Sequence, residues 1–186
     1  MYNGNIVLIS PPGAGKGTLA TRACAEFNFL NIGAGDILRE KRKEDSDLGR
    51  FLNEILGTGN LVSNEIVNAV IKSKLETVNQ PFILDGYPRT IEQAKCLEET
   101  KEVNLVIYLT VSNETLIKRI LERGKTSGRK DDSSEEIVLR RIQQYNQETA
   151  PLIEYYTTKG ILHQIDGELS INEVFELFTK ILKNLD

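Results

Sequence analysis

Asn5-Ile6-Val7-Leu8-Ile9 runs directly into Ser10-Pro11-Pro12-Gly13-Ala14-Gly15-Lys16-Gly17-Thr18, and the reading of this stretch decides the fold. The short apolar run, rich in β-branched residues, reads as a buried strand. The glycines that follow let backbone N–H groups turn inward without a Cβ in the way, which makes a concave nest for anionic oxygens. A helix beginning near Lys16 adds its N-terminal dipole, and Lys16 itself supplies a mobile cation for β- and γ-phosphates. This is a phosphate cradle, and the ligand it implies is a nucleoside triphosphate. Two departures from the usual pattern are visible. Ser10 stands where the pattern begins with Gly, and the hydroxyl residue after Lys16 is displaced by one, to Thr18.

Working outward, apolar runs predict strands over 5–9, 29–32, 82–85, 104–110 and 161–165. Helical periodicity lies between them, over 16–27, 36–43, 48–57, 63–77, 90–99, 113–123, 134–157 and 170–184. Thr90-x-x-Gln93, Ser133-x-x-Glu136 and Ser170-x-x-Glu173 read as capping boxes at helix starts. Strands alternating with helices imply a parallel sheet covered on both faces, an α/β architecture whose ligands bind beyond the carboxyl ends of the strands. Two segments break the alternation. Residues 33–78 place consecutive helices between two strands and suggest a helical insert beside the cleft. Residues 124–133, Gly-Lys-Thr-Ser-Gly-Arg-Lys-Asp-Asp-Ser, have the polar, charged composition of a lid loop over a phosphate site.

Composition narrows the function classes. A chain of 186 residues with 6% aromatic content, no Trp and a net charge of −4 fits one globular domain. That charge argues against a general nucleic-acid or membrane-surface binder. Lys118 to Arg141 nonetheless holds eight Lys/Arg against five Asp/Glu, which suggests a small anionic ligand. Two isolated cysteines, Cys24 and Cys96, and a single His argue against a structural zinc site and for a reducing compartment. The N-terminus has no targeting character, and no apolar run approaches the ~20 residues that span a bilayer. The expectation is a soluble, cytoplasmic protein.

Three further motifs carry chemistry: Gly35-Asp36-Ile37-Leu38-Arg39, Asp85-Gly86-Tyr87-Pro88-Arg89-Thr90-Ile91-Glu92-Gln93, and Arg123-Gly124-Lys125-Thr126-Ser127-Gly128-Arg129-Lys130-Asp131-Asp132 followed by Arg140. With the phosphate cradle, and in this order, they resemble the nucleoside monophosphate kinases, most closely the short-lid adenylate kinases, from Asn5 to about Phe178. The resemblance implies a P-loop three-layer sandwich with a five-stranded parallel sheet. It makes 1–186 one domain, with a monophosphate-binding insert at about 33–63 and a lid at about 124–133. It implies Mg²⁺-dependent transfer of the ATP γ-phosphoryl to a monophosphate by one monomeric chain, with no zinc, no nucleic acid and no membrane partner.

Carried over by position, Gly13, Ala14, Gly15, Lys16, Gly17 and Thr18 would hold ATP phosphates, with Arg123 and Leu169 also on the ATP side. Arg39 and Arg89 would grip the monophosphate's phosphate, while Arg123, Arg129 and Arg140 would close onto the transferring group. Ala34, Asn60, Leu61, Val62, Gly86, Tyr87, Pro88 and Gln93 would line the monophosphate site. Asp85 would hold Mg²⁺ through water, and Asp131 and Asp132 would hinge or latch the lid. Each has a plainer structural alternative: Arg39 as a solvated helix residue, Asp85 as a turn former, Gln93 as the N3 residue of a capping box. Periodicity sets Arg140 opposite the face marked by Val138, Ile142, Tyr145 and Thr149, free for ligand, and lays the stem of Arg141 along apolar surface. Gly33-Ala34 replaces the Ser-Thr usual in adenylate kinases and leans towards a uridylate/cytidylate kinase. Gln93 leans towards AMP, because it matches the residue that reads adenine's amino edge. AMP is the favoured acceptor, UMP or CMP the alternative, and a silent nucleotide sensor the third reading.

Overall fold

The structure is a computed structural model, and it describes residues 2–56, 62–127 and 134–186. The apolar run after Asn5 forms β1 (Ile6–Ile9), and the chain then alternates as α1 (Lys16–Phe27), β2 (Leu30–Gly33), α2 (Ala34–Lys41), α3 (Asp47–Leu56) and α4 (Asn64–Glu76). It continues through β3 (Phe82–Asp85), α5 (Ile91–Thr100), β4 (Leu105–Thr110), α6 (Asn113–Ser127), α7 (Glu135–Gln144), α8 (Pro151–Thr158), β5 (Leu162–Asp166) and α9 (Ile171–Leu185). Among the described residues, five strands form one parallel sheet in the order β2-β3-β1-β4-β5.

Strand residues point alternately to the two faces, so a strand covered on both sides is apolar throughout. In β1, Val7 and Ile9 enter a core with Ile32, Phe82, Leu84 and Val106. Ile6 and Leu8 enter the other, with Ala20, Ile107, Ile120 and Phe178. The second core is closed by α9, whose Ser170 makes a full capping box with Glu173.

Register brings four chain segments to one edge of the sheet. Leu8 pairs with Asp85, Gly33 pairs with Asp85 on the other side, and Ile9 pairs with Tyr108. Thr110 pairs with Asp166. The segments after β1, β2, β3 and β5 therefore leave the sheet together, at its carboxyl ends.

Three element boundaries differ from the sequence expectation. The single helix expected over 134–157 is interrupted by a π-helical turn at Tyr145–Thr149, with Ala150 N donating to Tyr145 O at 2.9 Å. Pro151, which lacks an N–H and cannot sit inside a helix, starts α8 at its first position instead. Helix α6 continues to Ser127, so the first four residues of the expected lid loop are helical. At α7 the cap is Ser134, whose hydroxyl accepts from Ile137 N at 3.3 Å; Ser133 lies outside the described residues.

Candidate active site

At the carboxyl edge of the sheet the segments surround a cleft of about 890 Å³, at the upper end of the range for small-ligand sites. Its floor is the loop after β1. Gly13 (φ 86°) and Gly15 (φ 100°) take left-handed backbone that L side chains rarely adopt. At Gly13 space decides too, since a Cβ there would meet Ile120 Cγ1 at 2.6 Å. Gly15 precedes the first residue of α1, so the loop N–H groups and the helix N-terminus face the same space.

Lys16 folds back over this loop. Its Nζ donates to Ser10 O at 2.9 Å and to Ser10 Oγ at 2.7 Å, and Ser10 Oγ donates in turn to Pro11 O at 2.8 Å. Ser10, the departure from the usual glycine, is buried and gives the ammonium a resting partner. Burial pushes the Lys16 ammonium down to about 8; Asp85 opposes the shift, while Arg89, Arg141 and Arg123 add to it. Asp85, Arg89, Arg123 and Arg141 line the same cleft as Lys16.

Asp85 ends β3, and a Cβ on Gly17 would stand 3.6 Å from its Oδ2. The carboxylate thus lies against the phosphate loop. Gly86 (φ 80°) turns the chain, and Arg89 Nε donates to Gly86 O at 2.9 Å. Arg39, paired with Asp36, lines the cleft with Arg89. Ala34, Gly35 and Gly86 meet there: a Cβ on Gly86 would be 3.5 Å from Arg89 Nη2 and 4.0 Å from Ala34 Cβ. Val62, Val67 and Leu38 give this end an apolar wall, and Gln93 lies among them.

Gly167 to Ile171 line the opposite end, Leu169 included. Arg119 Nη1 donates to Gly167 O at 2.9 Å. One turn apart on α6, Arg119 and Arg123 both face the cleft.

Two residues sit elsewhere than the sequence suggested. Arg140 is on the outer side of α7, 3.7 Å from Glu136, whereas Arg141 lines the cleft. The face marked by Val138, Ile142 and Tyr145 does pack, but the cleft opens along its border. A residue three after Val138 and four before Tyr145 reaches the cleft, and one pointing directly away does not. Tyr87 is buried in the core, its hydroxyl 2.8 Å from Asn68 Oδ1 and 3.1 Å from Gln93 O. Burial, first of all, raises the pKa of its phenol. Asn60, Leu61, Arg129, Asp131 and Asp132 lie outside the described residues.

Sequence reasoning assigned no role to Arg141, Arg119 or Asn64. The signal for Arg141 was its place beside the apolar stripe, and for Arg119 its i, i+4 spacing from Arg123. Asn64 carried no signal in the sequence; the structure shows its Oδ1 accepting from Gln93 Nε2 at 2.8 Å.

Among the described residues no group of three or more His, Cys, Asp or Glu could hold a metal ion, and no helix is long and apolar enough to cross a membrane.

Comparison with known proteins fits this geometry. The family model described as adenylate kinase matches residues 8–161. An adenylate kinase of Flavobacterium johnsoniae is 40% identical, over 97% of this chain and 99% of the relative. One from Xanthomonas axonopodis is also 40% identical, over 95% and 98%. One from Fervidobacterium nodosum is 36% identical, over 96% and 97%.

Proposed function

This chain belongs to the adenylate kinase family, and from that premise we propose that it transfers the γ-phosphoryl of ATP reversibly to AMP, giving two ADP. The observation that carries the reading is the convergence of Lys16, Arg89, Arg123 and Arg141 on one cleft floored by the phosphate loop.

The acceptor is a phosphate oxygen, anionic near neutral pH, so it attacks without a general base. A bond forms from that oxygen to the γ-phosphorus, and the bond to the β–γ bridging oxygen breaks. The protein's part is alignment and neutralisation of charge spread over the transferring group. Lys16 leaves Ser10 for the β- and γ-phosphates, which the loop N–H groups hold. Arg39 and Arg89 fix the phosphate of AMP, and guanidinium forks suit its oxygens in bidentate fashion. Arg123 and Arg141 stand between the two nucleotides and take the charge that develops there. Arg141 carries the role that position in the sequence suggested for Arg140.

Magnesium accompanying ATP suits this donor set. One carboxylate, Asp85, stands against Gly17, and Mg²⁺ characteristically takes one or two carboxylates with the rest from phosphates and water. Asp85 would hold it through water, and the ion would supply charge neutralisation for the phosphates.

Ala34 cannot offer a hydroxyl to the base, but one neutral hydrogen bond is worth only about 0.5–1.5 kcal/mol. Gln93, at the apolar end of the cleft, keeps one acceptor position and one N–H beyond its bonds to Arg89 N and Asn64, and a wrong base would leave these two unmatched. AMP is the acceptor these residues favour. The test is kcat/KM for AMP, CMP, UMP and GMP with ATP as donor. AMP should rank first; a higher value for CMP or UMP would overturn the assignment, and no ADP from any of them would leave a nucleotide sensor.

A further inference from the structure

Gln93 is 3% exposed, and both ends of its amide are engaged by protein. Oε1 accepts from the backbone N of Arg89 at 2.7 Å, and Nε2 donates to Asn64 Oδ1 at 2.8 Å. Asn64 is held in turn: its Nδ2 donates to Glu92 Oε2 at 2.7 Å, and Thr90 Oγ1 lies 3.2 Å from its Oδ1. An isolated amide can present its oxygen or its nitrogen to either side, and its partners decide which. Here the two ends of the chain of bonds allow no choice. A backbone N–H can only donate and an ionised carboxylate can only accept, so Arg89 N fixes Oε1 from one end and Glu92 fixes Asn64, hence Nε2, from the other.

An amide oxygen accepts two hydrogen bonds and an amide NH₂ donates two. Gln93 therefore keeps one acceptor position on Oε1 and one N–H on Nε2, on a side chain that lines the cleft. That pair matches an amino group beside an unprotonated ring nitrogen, the edge of adenine. A 6-oxo purine presents the reverse, a carbonyl beside a ring N–H, and would need the amide turned over.

We propose that Asn64, anchored by Glu92, is a positioning residue that locks the Gln93 amide in the orientation for amino-bearing bases, so that the chain takes 6-amino and rejects 6-oxo purine monophosphates. The proposal rests on Gln93 facing the base, as in the reading above. Its parts come from different elements, Asn64 from α4 and Glu92 and Gln93 from α5, so the base edge is specified by how these two helices pack.

The experiment compares AMP with IMP, which differ only at the 6-position and the adjoining ring nitrogen, in the wild-type chain and in Asn64→Leu, Glu92→Gln and Asn64→Asp/Glu92→Gln. Asn64→Leu removes one neutral hydrogen bond from the lock, so the AMP-to-IMP ratio of kcat/KM should fall about three- to tenfold. The loss should appear in the KM of the monophosphate, with KM for ATP and kcat for AMP little changed. The double variant restores an acceptor to Gln93 Nε2 and a donor to the residue at 64, and should recover the ratio. Glu92→Gln leaves an amide that can accept from or donate to Asn64, so the outer anchor no longer fixes its direction, and the ratio should be intermediate. A strong wild-type preference for AMP that survives Asn64→Leu unchanged would overturn the lock while leaving AMP as the acceptor. A wild-type enzyme that uses IMP as well as AMP would overturn both.

Discussion

Lys16 Nζ donates to Ser10 O and Oγ, and burial lowers its pKa to about 8 from the ordinary 10.5. Between those values an unfolded chain binds the proton and the folded one does not, so stability should rise with pH from about 8 towards 10.5. Nucleotide binding should run the other way. Phosphates beside the amine favour its charged form and raise its pKa, so ATP binding above pH 8 must take up a proton, and affinity should fall by up to about tenfold per pH unit there. Titration calorimetry at pH 8.5 in buffers of different ionisation enthalpy should show up to roughly three-quarters of a proton taken up, and Lys16→Met should abolish it. A binding enthalpy independent of buffer at that pH would mean that another group holds the phosphates. The phosphate loop was legible from residue types alone, because nest, dipole and cation are local. The place of Ser10 was not: its hydroxyl matters through a bond to a side chain six positions on.

Helix α7 makes the sharpest case for geometry over pattern. Arg140 and Arg141 are adjacent, of one residue type and about 100° apart around the helix. If Arg141 meets the transferring phosphoryl, Arg141→Ala should lose about 10²–10³-fold in kcat. Among the described residues Arg140→Ala removes an exposed contact to Glu136, and its rate should stay within about twofold, since such pairs contribute little. Steady-state rates with ATP and AMP decide it; the opposite order would return the role to Arg140. Periodicity identified the packed stripe of this helix correctly, with Val138 and Ile142 both buried. It could not tell on which border of the stripe the cleft opens, because that depends on β1 and β3 beyond it. The π-helical turn escaped for a related reason, since Pro151 signals a helix start but not whether the preceding helix stops short or widens into it. Strand boundaries, by contrast, came within one residue; the inner strands β1, β3 and β4 announce themselves by continuous apolar residues, while the edge strands β2 and β5 are mixed and only partly buried.

Across the whole molecule, the two ends of the cleft are built on opposite sides of the central strand. The end with Ala34, Arg39 and Gln93 leans on the core under α2, α4 and α5, whereas the end with Arg119 and Leu169 leans on the core under α1, α6 and α9. A ligand that spans both should therefore stabilise the fold more than either nucleotide alone, because it binds groups on both halves at once. For a site filled at about 100 times its Kd the gain is about 2.7 kcal/mol. In a chain of this size that corresponds to a rise in Tm of roughly 5–10 °C. An ATP–AMP bisubstrate analogue should give this shift in a thermal melt. ATP or AMP alone, at equal multiples of the analogue's Kd, should give less. Arg89→Ala and Arg141→Ala should each lose most of the analogue's shift with little change in the Tm of the free protein, because both side chains face the cleft. Arg140→Ala should keep it. Should ATP alone reproduce the full shift, or Arg141→Ala leave it intact, the two ends would not form one site, and the charge cluster around Lys16 would have to act on ATP only.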